Sequence, residues 1–209
     1  MSTRLRALGV VAATVLLTGG CAAGTHPGAA AVVGKTEISI SDVDNTSRAV
    51  TTALGQNFNA NATLRTLVTN AMAAEVAQQK SITITPAETA QSALQAVGEN
   101  QEAYAKFQSE ADTRDFLNAV GNTQLIALKL AGGGVNDMQN QAKLQQAQMA
   151  INEASKGIDI TIAPRFGKWT GSDVDNTISG SLSKESKQTA AQREAAENAA
   201  KQQQQQGQG

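Results

Sequence analysis

The sequence predicts a mainly α fold: a multi-helix domain closed by a small two-stranded sheet that pairs its N-terminal and C-terminal strands. Three observations carry that expectation. Between residues 40 and 156, apolar residues recur three or four apart in one segment after another, the spacing that gathers them on one helix face. Thr85-Pro86-Ala87-Glu88 is a complete helix start, with a capping hydroxyl, Pro at the first helical position and an acid reaching back. Strand-like runs occur near the two ends, around residues 32–38 and 158–162, and a lone strand cannot satisfy its own backbone hydrogen bonds.

In chain order, Val32-Val33-Gly34-Lys35-Thr36-Glu37-Ile38 reads as a short strand with a Gly-Lys turn. Ser41 is the expected cap of the first helix, with Asp44 three residues on, and Val43, Val50, Leu54 and Phe58 follow at helical spacing. The Asn-rich residues 57–61 break that helix. Leu64, Leu67, Val68, Met72 and Val76 mark a second, to about Gln79. After Thr85, Ala90, Leu94 and Val97 line one face of a third. A short helix spans 102–107, and a longer one spans 112–130 with Phe116, Leu117, Val120, Leu125, Ile126 and Leu128 in a wide apolar arc. Gly132 to Gly134 end it. Residues 136–156 are expected to form a polar, Gln-rich helix marked by Met138, Leu144, Met149 and Ile151, stopped by Gly157. Ile158, Ile160 and Ile162 then alternate with Asp159, Thr161 and Ala163, the period of a strand.

The ends of the chain read differently. Arg4 and Arg6 precede the apolar run 7–17, and Thr18-Gly19-Gly20 is a small-residue cleavage site. The run is too short for ~30 Å of hydrocarbon, which needs about 20 residues. Residues 1–20 are therefore expected to be a signal peptide. Cys21 is the only cysteine, so it has no partner within the chain. Its position after small residues resembles the bacterial lipobox, although Thr18 stands where Leu is usual. That resemblance implies a diacylglyceryl group on Cys21 and a mature N-terminus there. The alternative is an ordinary secretory signal cut near Ala22 or Ala23. Residues 21–30 then form a tether, residues 31–169 the helical domain, and residues 170–209 a polar tail, ending in Gln202 to Gln206, with no apolar stripe to dock.

Composition excludes several functions. The formal net charge is −1 and aromatic residues are 3% of the chain. Neither gives an electrostatic case for nucleic acid. His26, the only histidine, lies in the tether, so Ser-His-Asp, Cys-His and His-ligated zinc sites are excluded from the domain. Ser41-Asp-Val-Asp-Asn-Thr46 recurs as Ser172-Asp-Val-Asp-Asn-Thr177. Neither copy has the Gly and Glu of an EF-hand, since Ser47 and Ala53, or Ile178 and Lys184, stand there. The first copy reads as a helix cap and the second as a polar turn. Gly132-Gly133-Gly134 lacks the Lys-Ser/Thr of a phosphate loop. The expectation is no catalytic residue, no metal and no cofactor: not an enzyme.

The order of these parts resembles a known family. It runs from a lipidated cysteine and short tether through Ala-Ala-Val-Val-Gly-Lys-Thr-Glu-Ile-Ser-Ile-Ser-Asp-Val and several helices to Ile-Asp-Ile-Thr-Ile-Ala-Pro-Arg-Phe-Gly-Lys-Trp. This is similar to the chaperone domain of the SurA/PrsA-type peptidyl-prolyl isomerases, specifically the SurA N-terminal-like lipoproteins of Gram-positive actinobacteria. The likeness covers residues 31–169. In that family a late strand ending in such a Pro-Arg-aromatic-Gly run returns beside the first. Members with isomerase activity carry a parvulin domain before the closing strand, but here Lys156-Gly157 passes straight into Ile158. The resemblance thus implies a chaperone-type domain without its catalytic partner.

The expected function is a membrane-anchored extracytoplasmic lipoprotein that binds unfolded or exported polypeptides, held to the membrane by lipid on Cys21. The alternative is a docking protein for one dedicated cell-envelope partner. Candidate polypeptide contacts are Met72, Phe107, Phe116, Met138 and Met149, for each of which core packing is the competing role. The oligomeric state and the client are not legible.

Overall fold

The computed structural model describes residues 27–176. The signal peptide, Cys21, His26 and the Gln-rich stretch lie outside the described residues. Six α-helices dominate what is described, with small antiparallel sheets beside them.

The described residues open on a hairpin. β1 (Ala29–Val33) pairs antiparallel with β2 (Thr36–Ser39) around the Gly34-Lys35 turn, with Ala31 opposite Ile38 and Val33 opposite Thr36. β3 (Ile160–Ile162) lies on the other side of β1, with Val32 opposite Thr161, so the sheet order is β2-β1-β3. The sheet has three strands where two were expected, because both arms of the hairpin belong to it. β1 also starts two residues before the expected domain boundary. Ala29 and Ala30 are buried. The tether expected over residues 21–30 therefore stops short of them.

The cap of α1 (Ile40–Leu54) lies two residues before the expected one. Ser39, not Ser41, is the N-cap: its hydroxyl accepts from the Asp42 N–H at 3.0 Å, and the Asp42 carboxylate accepts from the Ser39 N–H at 2.8 Å. Ser39 and Ser41 each have Asp three residues on, so the local rule fits both. The hairpin decides, because the Ile40 N–H donates to Gly28 O at 2.8 Å. Val43 and Val50 are buried, whereas Leu54 is exposed. Asn59 caps α2 (Ala60–Gln79), and Thr85 and Glu88 form the expected capping box of α3 (Pro86–Ala96). Asn100 caps α4 (Gln101–Gln108). The buried Thr113 of α5 (Ala111–Leu130) donates to Phe107 O at 2.7 Å, tying α5 to the end of α4.

α6 (Gln141–Ala154) is shorter than the expected 136–156 helix. The Asp137 carboxylate accepts from the Gly134 N–H at 2.8 Å, closing a short 3-10 turn over residues 135–137, and Asn140 starts the helix afresh. Met138 is thus not a helix residue. Beyond β3, Pro164 to Phe166 form another 3-10 turn. β4 (Lys168–Trp169) then pairs with β5 (Val174–Asp175). β5 falls in the region expected to be tail, where Val174 packs on the core and Arg65 pairs with Asp173 at 3.6 Å. Gly167, at φ +114°, has no room for a side chain against the Asp175 carbonyl. Ser172 to Asp175 of the second Ser-Asp-Val-Asp-Asn-Thr copy therefore supply the turn and return strand of a hairpin, while the first copy lies in a helix.

Three apolar clusters fill the interior. The sheet packs on α1 and α2 through Val33, Val43, Leu64 and Val68. α2, α5 and α6 meet at Val76, Leu128 and Ile151. α1, α3, α4 and α5 meet at Val50, Ala93, Phe107 and Leu117. Burying a Leu or Val side chain stabilises by about 1.5–3 kcal/mol, so α1, α2 and α5, which serve two clusters each, hold the domain together. On α3 the buried face is Ser92 and Ala93 rather than the expected line through Ala90, which is exposed. α3 is also pinned by an ion pair. Lys129 of α5 lies 2.7 Å from Glu88, with the two side chains only 22% and 26% exposed, and also donates to Thr83 O at 2.8 Å. The Lys129 hydrogen bond, then the Thr85 N–H, hold the Glu88 carboxyl down at about 2.

Candidate functional site

α2, α5 and α6 do not close completely. Between them runs a groove of about 350 Å³, lined by Met72, Val120, Ala127, Leu144, Ala147 and Ile151, with Thr69, Thr123, Gln124 and Gln148 among the apolar residues. Two of the lining residues, Ala127 and Ala147, are small, and both belong with Leu128 and Ile151 to the cluster that joins the three helices. None of the lining residues is charged. Gln148 donates to Asn152 at 2.9 Å and Gln124 to Met138 O at 3.3 Å, so each amide keeps its carbonyl oxygen for a further partner. The surface is aliphatic, neutral and supplied with amide and hydroxyl groups, which suits an uncharged peptide segment.

Met72 also lines a second chamber of about 340 Å³, at the far end of α6. Its walls are Asn152, Ser155 and Lys156, the Ile158–Ile160 stretch, and Trp169 with Gly171. A third groove, of about 350 Å³, lies between α1, α2 and α5. It sets Leu67, Phe116 and Ala119 among Asp42, Asp112 and Asp115. Phe116 meets Phe58 edge to face there, with ring centroids 5.8 Å apart.

The five candidate contacts separate accordingly. Phe107 and Met138 are 3% exposed and belong to the core, so neither can meet a client. Phe107 faces inward because α4 is a short helix with one buried residue. Met138 follows the 3-10 turn and packs into the cluster where α2, α5 and α6 meet. Met72 is largely buried but forms the floor shared by two chambers. Phe116 is half-buried in the acidic groove. Met149 stands 66% exposed on α6, outside the three grooves. Cys21 lies outside the described residues. Phe166 is buried under the sheet and Trp169 packs against the same cluster.

The groove's other walls, Val120, Leu144, Ala147 and Ile151, were not among the candidates. Leu144 and Ile151 carry a signal, being the few large apolar residues of a polar helix. Ala147 carries none, since a small residue marks a gap only once its neighbours are placed. Among the described residues, no helix is long and apolar enough to cross a membrane, and no three acidic, His or Cys side chains gather as a metal cage needs. No family model matches the chain, and no curated protein or solved structure matches it.

Proposed function

We propose that this chain is a lipid-anchored, non-catalytic chaperone-like protein that holds unfolded segments of exported polypeptides at the outer face of the membrane. The observation that carries the reading is the neutral, aliphatic groove between α2, α5 and α6, with Met72 at its floor. Aliphatic and thioether surfaces adapt to many partners, because they present no fixed aromatic or ionic pattern to be matched. The Gln and Thr side chains among them offer hydrogen bonds to a backbone that has not yet folded. The order of a cysteine after a signal-like segment, a hairpin, helices and a late strand agrees with the SurA/PrsA-type resemblance, and the reading takes from it the closure of the helical unit by strands from its two ends.

Anchoring would follow from Cys21, because two or more acyl chains, each contributing ~0.8 kcal/mol per buried methylene, hold a protein stably. The Cys21→Ala variant is expected in the soluble fraction. The mature N-terminal peptide should carry the mass of the lipid in the wild-type chain.

The binding claim is tested by aggregation of a chemically unfolded client diluted from denaturant. The chain from Ala22 onward is expected to suppress light scattering at equimolar amounts, and Val120→Glu in the groove should remove the effect without unfolding the domain. Scattering unchanged by the wild-type chain contradicts the reading.

A further inference from the structure

We propose that the groove between α2, α5 and α6 selects its clients by their unpaired backbone N–H groups, because the polar side chains that line it present mainly hydrogen-bond acceptors. This rests on the polypeptide-binding reading above and names the groups by which a client is held.

The polar lining is Thr69 from α2, Thr123 and Gln124 from α5, and Gln148 from α6. A hydroxyl has one hydrogen to give and two lone pairs to offer. Thr69 gives its hydrogen to Arg65 O at 2.9 Å. Thr123 has two partners, Ala119 O and Asn70 Oδ1, each at 2.8 Å, and both are acceptors. Gln124 gives an amide hydrogen to Met138 O at 3.3 Å. The Arg65, Ala119 and Met138 partners are main-chain carbonyls, which cannot donate in return, so the direction of each bond is fixed. Both hydroxyl oxygens and the Gln124 carbonyl oxygen are left as acceptors. Gln148, which donates to Asn152 at 2.9 Å, adds a fourth oxygen. The donors left over are the second N–H of each Gln, so acceptors predominate.

Covering these oxygens makes the pattern selective. Thr69, Thr123 and Gln124 are half-buried and share the groove with Met72, Val120 and Ala127, so an occupant displaces the water that now pairs with them. A buried acceptor without a donor costs free energy, more so where apolar neighbours lower the local dielectric. A surface that brings only carbonyls or carboxylates leaves the groove oxygens unpaired and opposes them. An unfolded segment carries a free N–H on every residue except Pro, whereas a finished helix or strand has spent its N–H groups on carbonyls of its own fold. The occupant is therefore an aliphatic segment with its backbone N–H groups still free. Its apolar side chains meet Met72 and Val120, its N–H groups meet the oxygens, and the two spare Gln hydrogens accommodate a carbonyl of the same segment.

The chain from Ala22 onward, which keeps every described residue, is titrated calorimetrically with a blocked heptapeptide of Leu, Ala and Ser. Val120→Glu, or Leu144→Glu where the first does not fold, should abolish the binding and so place the peptide in the groove. Two series of analogues then change one peptide bond at a time. An ester removes the N–H and keeps a carbonyl. A thioamide keeps the N–H and weakens the carbonyl as an acceptor. At least one ester is expected to bind about three- to tenfold more weakly, and no thioamide to lose more than about twofold. Esters that all bind like the parent, or thioamides that lose as much as the esters, overturn donor selection and leave the groove reading standing. Binding that survives the groove substitution overturns both. A parent peptide that does not bind overturns donor selection, and if client aggregation is not suppressed either, the polypeptide-binding reading falls with it.

Discussion

Gly121 of α5 lies directly against the backbone of Ala93 in α3: a Cβ on Gly121 would stand 2.6 Å from the Ala93 nitrogen. This is the closest approach of the two helices that the absence of a side chain permits. The obstacle is main chain, which cannot rotate aside. Gly121→Ala gains ~1 kcal/mol in helix propensity, but overpacking costs about 1–3 kcal/mol, so a net loss of up to ~2 kcal/mol is expected. Urea denaturation checks it. A variant as stable as the wild type would mean that α3 shifts outward freely.

The cap of α1 offers a discriminating pair. Ser39→Ala removes the hydroxyl that accepts the Asp42 N–H and should cost about 0.5–2 kcal/mol. Ser41→Ala leaves that bond in place and loses the contact to Ser39, at 2.8 Å, so a smaller cost is expected. Thermal melts of the two variants decide between the caps, and the reverse order would restore Ser41 as the cap.

Glu88 predicts a pH dependence with a definite sign. Its carboxyl titrates at about 2 in the folded chain, below its ordinary 4.5, with the Lys129 hydrogen bond as the largest cause. A depressed carboxylate stabilises fully above its unfolded value and loses that contribution as pH falls through the folded one. The melting temperature of Glu88→Gln should therefore lie below that of the wild type at neutral pH. The gap should hold to about pH 5 and shrink steadily toward about pH 2. A gap independent of pH would show that Glu88 acts through packing alone.

What was legible in the sequence, and what was not, divides by the range of the interaction. Helical periods and the Thr85–Glu88 box are local, and each of the six helices falls within a segment those signals marked, although two of the starts differ. The α1 cap was displaced because two Ser-x-x-Asp pairs overlap and only the distant Gly28 carbonyl chooses between them. The start of α6 was missed because Asn136 and Asn140 are both good caps, and the Asp137 turn precedes the second. The six-residue repeat shows the limit most clearly. Ser41 to Asp44 lie in a helix after a hairpin, whereas the identical Ser172 to Asp175 form a turn and strand after Gly171, so context sets their conformation. The groove was half legible. Met72 could be named from its size and chemistry, but the same criterion selected Phe107 and Met138, which are core, and overlooked Ala147. Large apolar residues mark cores and binding surfaces alike, and only burial separates them.

The central claim is that the α2–α5–α6 groove holds many unfolded exported chains. Site-specific photocrosslinking in intact cells tests it most directly. A photoreactive residue replaces Gln148, in the groove lining, and, as a control, the exposed Glu99 beyond α3. The account predicts a broad ladder of adducts from position 148, containing many exported polypeptides, and none above background from position 99. A single stoichiometric adduct from position 148, or the same adducts from both positions, would contradict it.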